Sequence, residues 1–201
     1  MVELYIVRHG ETDTNHDNHI NGSGTDLDLN ETGRKQVECL KDQLNIDQFD
    51  EIYVSPLKRA QQTAEILNQG THTLKIDDRL KEINYGEWDG LPSEKTATEH
   101  PDGFDENGYI DEDYIKYATN GETYPEVFHR IQDFINDMSN KNNEKIMVVC
   151  HGFITRSFVK VVTKVPDIAD VMEPDNASVT KIKISDSGHA YLAYYGRLSN
   201  I

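Results

Sequence analysis

Arg8-His9-Gly10-Glu11-Thr12 directly follows the apolar run Leu4-Tyr5-Ile6-Val7. Such a run reads as a buried strand, so an imidazole and a guanidinium stand side by side at its end. That pairing suits attack on phosphorus. An imidazole is nucleophilic near neutral pH, and the adjacent Arg8 can bind the anion under attack. Gly10 is expected to let the chain turn sharply after the strand. A strand-end histidine satisfied by ordinary hydrogen bonds is the plainer reading of the tripeptide alone.

Two other places carry related chemistry. Val149-Cys150-His151-Gly152 repeats the pattern of strand, histidine and glycine. Arg59 follows Ile52-Tyr53-Val54 and Ser55-Pro56, in the first turn of an expected helix whose free amides add positive potential. These residues are far apart in sequence, so the fold must bring them together.

The apolar spacing indicates how. Strands are expected at about 2–8, 52–54, 74–76 (an edge) and 146–150. Helices are expected from Asn30, with Gln36, Val37, Leu40 and Leu44 at helical spacing, then through Ala60, Ala64 and Leu67, from Thr123 and from about Phe153 to Thr163. Asn30 can cap the first helix, and Thr123 with Glu126 forms a capping box. Asp13 to Asn30 reads as a polar loop and Leu80 to Gly90 as an ordered one. Two last strands near 178–185 and 189–195 flank Asp186-Ser187-Gly188 as a hairpin. Alternating strands and helices predict a three-layer α/β/α fold with a mostly parallel central sheet. Ligands of such sheets bind beyond the carboxyl ends of the strands. His9, Arg59 and His151 all fall there. The 201 residues suit one domain, with 91–120, which has no strong period, as a lid insertion.

Composition narrows the partners. The formal net charge is −16, from 20 basic and 36 acidic residues. That disfavours nucleic acid and anionic membrane. No apolar run approaches the roughly 20 residues of a membrane span. Two cysteines, Cys39 and Cys150, are too few for a disulfide framework or a cysteine zinc site, and both are expected as buried thiols. The chain opens into a strand without a signal-like segment, so a cytoplasmic location is expected. His16, Asp17 and His19 have metal-like spacing but lie in a polar loop and are expected to be solvated. No metal or cofactor is expected, and a homodimer stays open.

Four segments together resemble the histidine phosphatase superfamily, the phosphoglycerate mutase-like fold. They are Arg8-His9-Gly10-Glu11-Thr12 with Asn15, Ser55 to Ala64, Leu80 to Gly90, and Val149-Cys150-His151-Gly152, in family order and over nearly the whole chain. The resemblance implies that His9 is the nucleophile and becomes phosphorylated. Guanidinium groups nearby would hold it neutral, and a backbone carbonyl would fix its tautomer. Arg8 and Arg59 would clamp the phosphoryl oxygens, matching phosphate with planar donor forks. His151, protonated, would stabilise transferring charge. Asn15 would donate to a phosphoryl oxygen, with Asn21 and Gly22 lining the same pocket. Glu82 would be the general acid for the leaving alkoxide and later activate water, ahead of its neighbour Glu87.

The resemblance covers both phosphatases and mutases. Tyr85-Gly86-Glu87-Trp88-Asp89-Gly90 resembles the phosphatase branch, and the 91–120 segment lacks the adjacent arginine pair of the mutases. That segment carries eight acids against Lys95 and Lys116. An acidic lid over the pocket is expected to repel a bisphosphate. A small phosphorylated metabolite is therefore the expected substrate and hydrolysis the expected reaction, with the mutase as alternative and a binding module without turnover behind it.

Overall fold

The computed structural model describes residues 1–199. Its centre is a six-stranded sheet ordered β3-β2-β4-β1-β5-β6. The strands are β1 (Val2–Arg8), β2 (Glu51–Val54), β3 (Leu74–Ile76), β4 (Lys145–Cys150), β5 (Val179–Ile184) and β6 (Ala190–Arg197). β3, β2, β4 and β1 are parallel, while β5 and β6 run antiparallel at one side, as the hairpin pattern predicts.

Alternation along β1 explains the layers. Leu4 and Ile6 face a core completed by Ile131 and Phe134 of α5 (Tyr124–Ser139) and Phe158 of α6 (Gly152–Thr163). Tyr5 and Val7 face the opposite core, built with Val37 and Leu40 of α2 (Glu31–Lys41) and Ala60, Ala64 and Leu67 of α3 (Lys58–Asn68). A strand apolar on both faces must be covered on both, which is the three-layer arrangement.

The helix ends follow the expected chemistry. The Asn30 side chain accepts from Gly33 N at 2.8 Å, and the Thr123–Glu126 capping box forms. One element was not foreseen. Asp13–His16 forms a short helix, α1, capped by Thr12, whose hydroxyl accepts from Asn15 N while the Asn15 side chain accepts from Thr12 N. The Thr-x-x-Asn spacing carries that signal inside a segment that otherwise reads as loop.

Cys39 departs from expectation. It is exposed, whereas Cys150 is buried. The buried stripe of α2 is Gly33, Val37 and Leu40. Two residues past Val37 lies about 200° around the helix, so Cys39 faces outward. Gly10 also acts differently from expectation. It is not among the residues with positive φ. A Cβ there would stand 2.5 Å from Gly33 O, so its bare backbone admits α2 to the end of β1.

Residues 91–120 contain α4 (Ser93–Glu99) and short 3-10 turns rather than a structureless loop. Trp88 anchors them. Its ring stacks with His100, Phe104 and Tyr117 at centroid separations of 5.7, 5.5 and 6.0 Å. Among the described residues no helix is long and apolar enough to cross a membrane.

Candidate active site

The register pairs Arg8 of β1 with Cys150 of β4, so His9 and His151 leave the sheet at the same level. Their rings meet edge to face with centroids 5.1 Å apart. Both are buried.

His9 has a partner at each ring nitrogen. Nδ1 lies 2.6 Å from Gly10 O, and Arg59 Nε donates to Nε2 at 3.2 Å. A carbonyl can only accept, so Nδ1 carries the proton and Nε2 the lone pair. Burial pulls the His9 pKa well below its ordinary value, and Arg59 and Arg8 lower it further. The order of causes differs from the sequence expectation, which credited the guanidinium groups alone. A neutral imidazole with its lone pair at Nε2, held by the Arg59 donor, has the form a nucleophile needs once that donor passes to a phosphoryl oxygen.

Arg59 is fully buried at the start of α3. Its Nη1 and Nη2 donate to Thr25 O and Gly22 O at 2.6 and 3.1 Å, leaving Nε on His9. Burial lowers its pKa to about 10, so it stays cationic at neutral pH. Thr63, one turn on, donates to Arg59 O and accepts from Gly10 N, tying the second motif to the first.

Arg8 points the other way from the strand. Its Nη1 donates to Pro174 O, its Nη2 pairs with Glu173 at 2.5 Å, and its Nε is buried without a partner. His151 Nε2 lies 2.7 Å from Ser55 Oγ, and its Nδ1 is likewise buried and unpartnered. Burial, with Arg59 and His9 behind it, pulls the His151 pKa well down. The sequence reading had it protonated. Burial instead favours the neutral ring, and if the Ser55 hydroxyl donates to Nε2 the ring proton sits on Nδ1.

Glu82 is buried, and Glu87 is exposed. Glu82 accepts from Ile83 N at 2.9 Å and Phe153 N at 3.2 Å. Burial pushes its pKa up to about 7 despite those bonds and despite Arg59, with Glu173 adding to the rise. A carboxyl group in that range can give a proton and later take one back.

Arg8 and Glu82 line a cleft of about 570 Å³ together with Asn15, Asn21, Arg156 and Glu173, while the buried His9, Arg59 and His151 are not part of its lining. Thr12 holds Asn15 Oδ1, which turns the amide nitrogen into the end available to a ligand. Asn21 lines the cleft and bonds Thr12 and Thr25. Gly22 stands behind it. Its carbonyl anchors Arg59, and a Cβ there would fall 2.1 Å from Asp89 Oδ1.

The 91–120 segment contributes Ser93, Asn107, Gly108, Tyr109 and Ile110 to the cleft and none of its acids. Asp105, Asp111 and Glu112 line a separate, smaller cavity, and Asp113 pairs with Lys116 on the surface. The expectation of an acidic face over the pocket therefore does not hold. The acids of the cleft are Glu82, Glu173 and Asp175.

Three groups escaped the sequence reading. Ser55, inside the Ser55 to Ala64 segment, carries no sequence mark of its contact with His151. Arg156 is five residues past His151 on α6, and its buried Nε has no partner. That offset after a strand-end histidine is the signal that could have found it. Glu173 lies in an irregular segment before β5, and no spacing marks it. His16 and His19 stay in the α1 region, with His16 exposed and His19 Nδ1 near Asp17 O.

A sequence profile of the histidine phosphatase superfamily (branch 1) matches residues 4–195. Phosphoserine phosphatase 1 of Hydrogenobacter thermophilus is 33% identical over 153 residues, covering 75% of this chain and 71% of its own length. A metal-independent phosphoserine phosphatase of Arabidopsis thaliana is 27% identical over 92% of this chain and 78% of its own. Among solved structures, Bacillus stearothermophilus YhfR superposes with a TM-score of 0.85 at 25% identity, over 99% of this chain and 98% of that one. Matched along nearly its whole length in profile and fold, the chain belongs to the histidine phosphatase superfamily and is an enzyme of the phosphoric monoester hydrolase class.

Proposed function

We propose that the protein hydrolyses small phosphomonoesters of carboxylated alcohols, phosphoserine among them, through a phosphohistidine on His9. The observation that carries this reading is the pair of contacts on His9, Gly10 O at Nδ1 and Arg59 Nε at Nε2. Together they hold the lone pair where a phosphoryl group would be attacked. The names of the relatives support phosphoserine as a substrate. So do Arg8 and Arg156 as cations in the cleft.

In the first step Nε2 bonds to phosphorus as the ester P–O bond breaks, and Glu82 gives its proton to the departing alkoxide. In the second, Glu82 takes a proton from water, which attacks phosphorus and releases Nε2 and orthophosphate. Arg8 Nε, Arg59 Nε and His151 Nδ1 supply donors for the charge that builds on the phosphoryl oxygens. Asn15 and Asn21 complete the wall, Gly22 anchors Arg59 behind it, and residues 91–120 cover the cleft. The free thiol of exposed Cys39 is consistent with a reducing, cytoplasmic setting.

The test is to quench turnover of a ³²P-labelled monoester and map the label. Acid-labile, base-stable phosphate on the peptide carrying His9 is expected; label on a serine, aspartate or cysteine overturns the reading. With 3-phosphoglycerate and catalytic 2,3-bisphosphoglycerate, little or no 2-phosphoglycerate is expected. Interconversion much faster than phosphate release would promote the mutase.

A further inference from the structure

Glu173 and Asp175 are the carboxylates of the cleft that the proposed chemistry leaves without a catalytic task, and Glu173 is the one paired with Arg8. Its backbone N lies 3.3 Å from Tyr109 OH, which fastens it to the 91–120 segment, and its carboxylate pairs with Arg8. That carboxylate also packs on the first residue of α6. A Cβ on Gly152 would fall 2.5 Å from Glu173 Oε1. Glu82 accepts from Phe153 N, the next residue of the same helix start. Two carboxyl groups thus sit at adjacent positions of one helix N-terminus, in one cleft. The helix end favours one negative charge, and a second must overcome the first.

We propose that Glu173 is a positioning residue for the reaction, whose carboxylate on Arg8 and α6 keeps the proton on Glu82 until the leaving group needs it. The inference rests on Glu82 being the proton donor. The charged and titratable groups around Glu82 set the balance. Arg59 from α3 favours its anion, and Tyr85 on its own loop and Cys150 on β4 are neutral at working pH, both thiol and phenol pushed up by burial. Glu173 is the group that opposes the anion by charge. Arg8 pairs with the Glu173 carboxylate through Nη2.

The experiment compares kcat/KM from pH 5 to 9 for phosphoserine and p-nitrophenyl phosphate, in the wild-type enzyme, Glu173→Gln, Glu173→Asp and Glu82→Gln. Gln retains an oxygen acceptor for Arg8 but no charge. With Glu173→Gln, the alkaline limb for phosphoserine should move down by about one pH unit, so turnover at pH 8 falls roughly tenfold while the acid plateau holds. The phenolate of p-nitrophenyl phosphate leaves without a proton, so its profile should move little. Asp should restore the limb toward the wild type. A loss equal at all pH and for both esters, with the limb in place, would show that Glu173 only holds Arg8 and would overturn the inference. If Glu82→Gln slows both esters equally, the donor reading falls and this inference with it. If Glu82→Gln separates the esters and Glu173→Gln leaves the limb unmoved, this inference falls alone.

Discussion

His9 and His151 end neighbouring parallel strands at the same level, each followed by glycine and each buried. Their surroundings differ. His9 has a carbonyl at Nδ1 and a guanidinium at Nε2, so its proton and its lone pair are both assigned. His151 rests on a serine hydroxyl at Nε2 and keeps Nδ1 unpartnered. On the proposed reading, one local pattern yields a nucleophile in one place and a hydrogen-bond donor in the other. The sequence motif delivers both rings to one point, and residues from α3 and the β2–α3 junction decide what each ring does there.

The comparison breaks most sharply under substitution. His9→Ala should abolish turnover by about 10⁴–10⁶-fold, the scale for losing a nucleophile, and no phosphoenzyme should form. His151→Ala should cost about 10²–10³-fold, the scale for one transition-state donor, and label should still reach His9. Steady-state rates with quench-and-map labelling of both variants check this. If the two substitutions exchange effects, the roles are reversed.

Glu82 offers the next contrast, between leaving groups rather than histidines. Glu82→Gln should slow alkyl phosphates by about 10²–10⁴-fold and aryl phosphates far less, because a phenolate leaves with little protonation. Rates on phosphoserine and p-nitrophenyl phosphate decide it. Equal slowing would mean that Glu82 positions the substrate, as its bonds to Ile83 N and Phe153 N would allow a carboxylate to do.

The same two histidines show what was legible in the chain. Each lies at the end of a run whose apolar residues alternate between two cores, so strand, layer and strand end follow from local pattern. Arg59 was found because a Ser-Pro stop and a helix start precede it. Partners set by close packing were not legible. Nothing near His151 in sequence names Ser55, and nothing near Arg8 names Glu173, because both contacts join segments that only the sheet order brings together. Charge counting also misled. The acids of 91–120 are real, but a Trp88-centred aromatic stack orients that segment, and it presents Asn107, Gly108 and Tyr109 to the cleft. Direction is a property of packing, and composition does not carry it.

A stability measurement sharpens the comparison of the histidines with Glu82. Glu82 titrates near 7 in the fold against an ordinary value of 4.5. The fold therefore binds the extra proton, and this contribution is full below about pH 4.5 and lost as pH rises through about 7. His9 and His151 run the other way. Their folded values lie below the ordinary 6.5, so their contribution is full above about 6.5 and lost as pH falls below it. Glu82→Gln should therefore stabilise the protein by about 3 kcal/mol at pH 8, at roughly 1.4 kcal/mol per pKa unit, and by less than about 1 kcal/mol near pH 5. Urea midpoints at the two pH values report it. An equal effect at both would mean that ionisation of Glu82 is not what the fold opposes.

The smallest expected effect is none at all. Phosphoryl transfer needs positive charge or donors around the equatorial oxygens, and different enzymes draw these from ions or from side chains. Here the buried atoms without partners include Arg8 Nε and Arg156 Nε, both donors of residues that line one cleft. Donors of that kind await an anion; a cation would be repelled by the guanidinium groups and would find their nitrogens unable to accept. Among the described residues, no group of three His, Cys, Asp or Glu converges to hold a metal ion. Prolonged treatment with a strong chelator, followed by assay in chelator, should therefore leave kcat and KM for phosphoserine unchanged. Loss of activity that a single added divalent metal restores would show that His9 and His151 owe their setting to an ion, and that Glu82 and Glu173 were ligands rather than a proton donor and its neighbour.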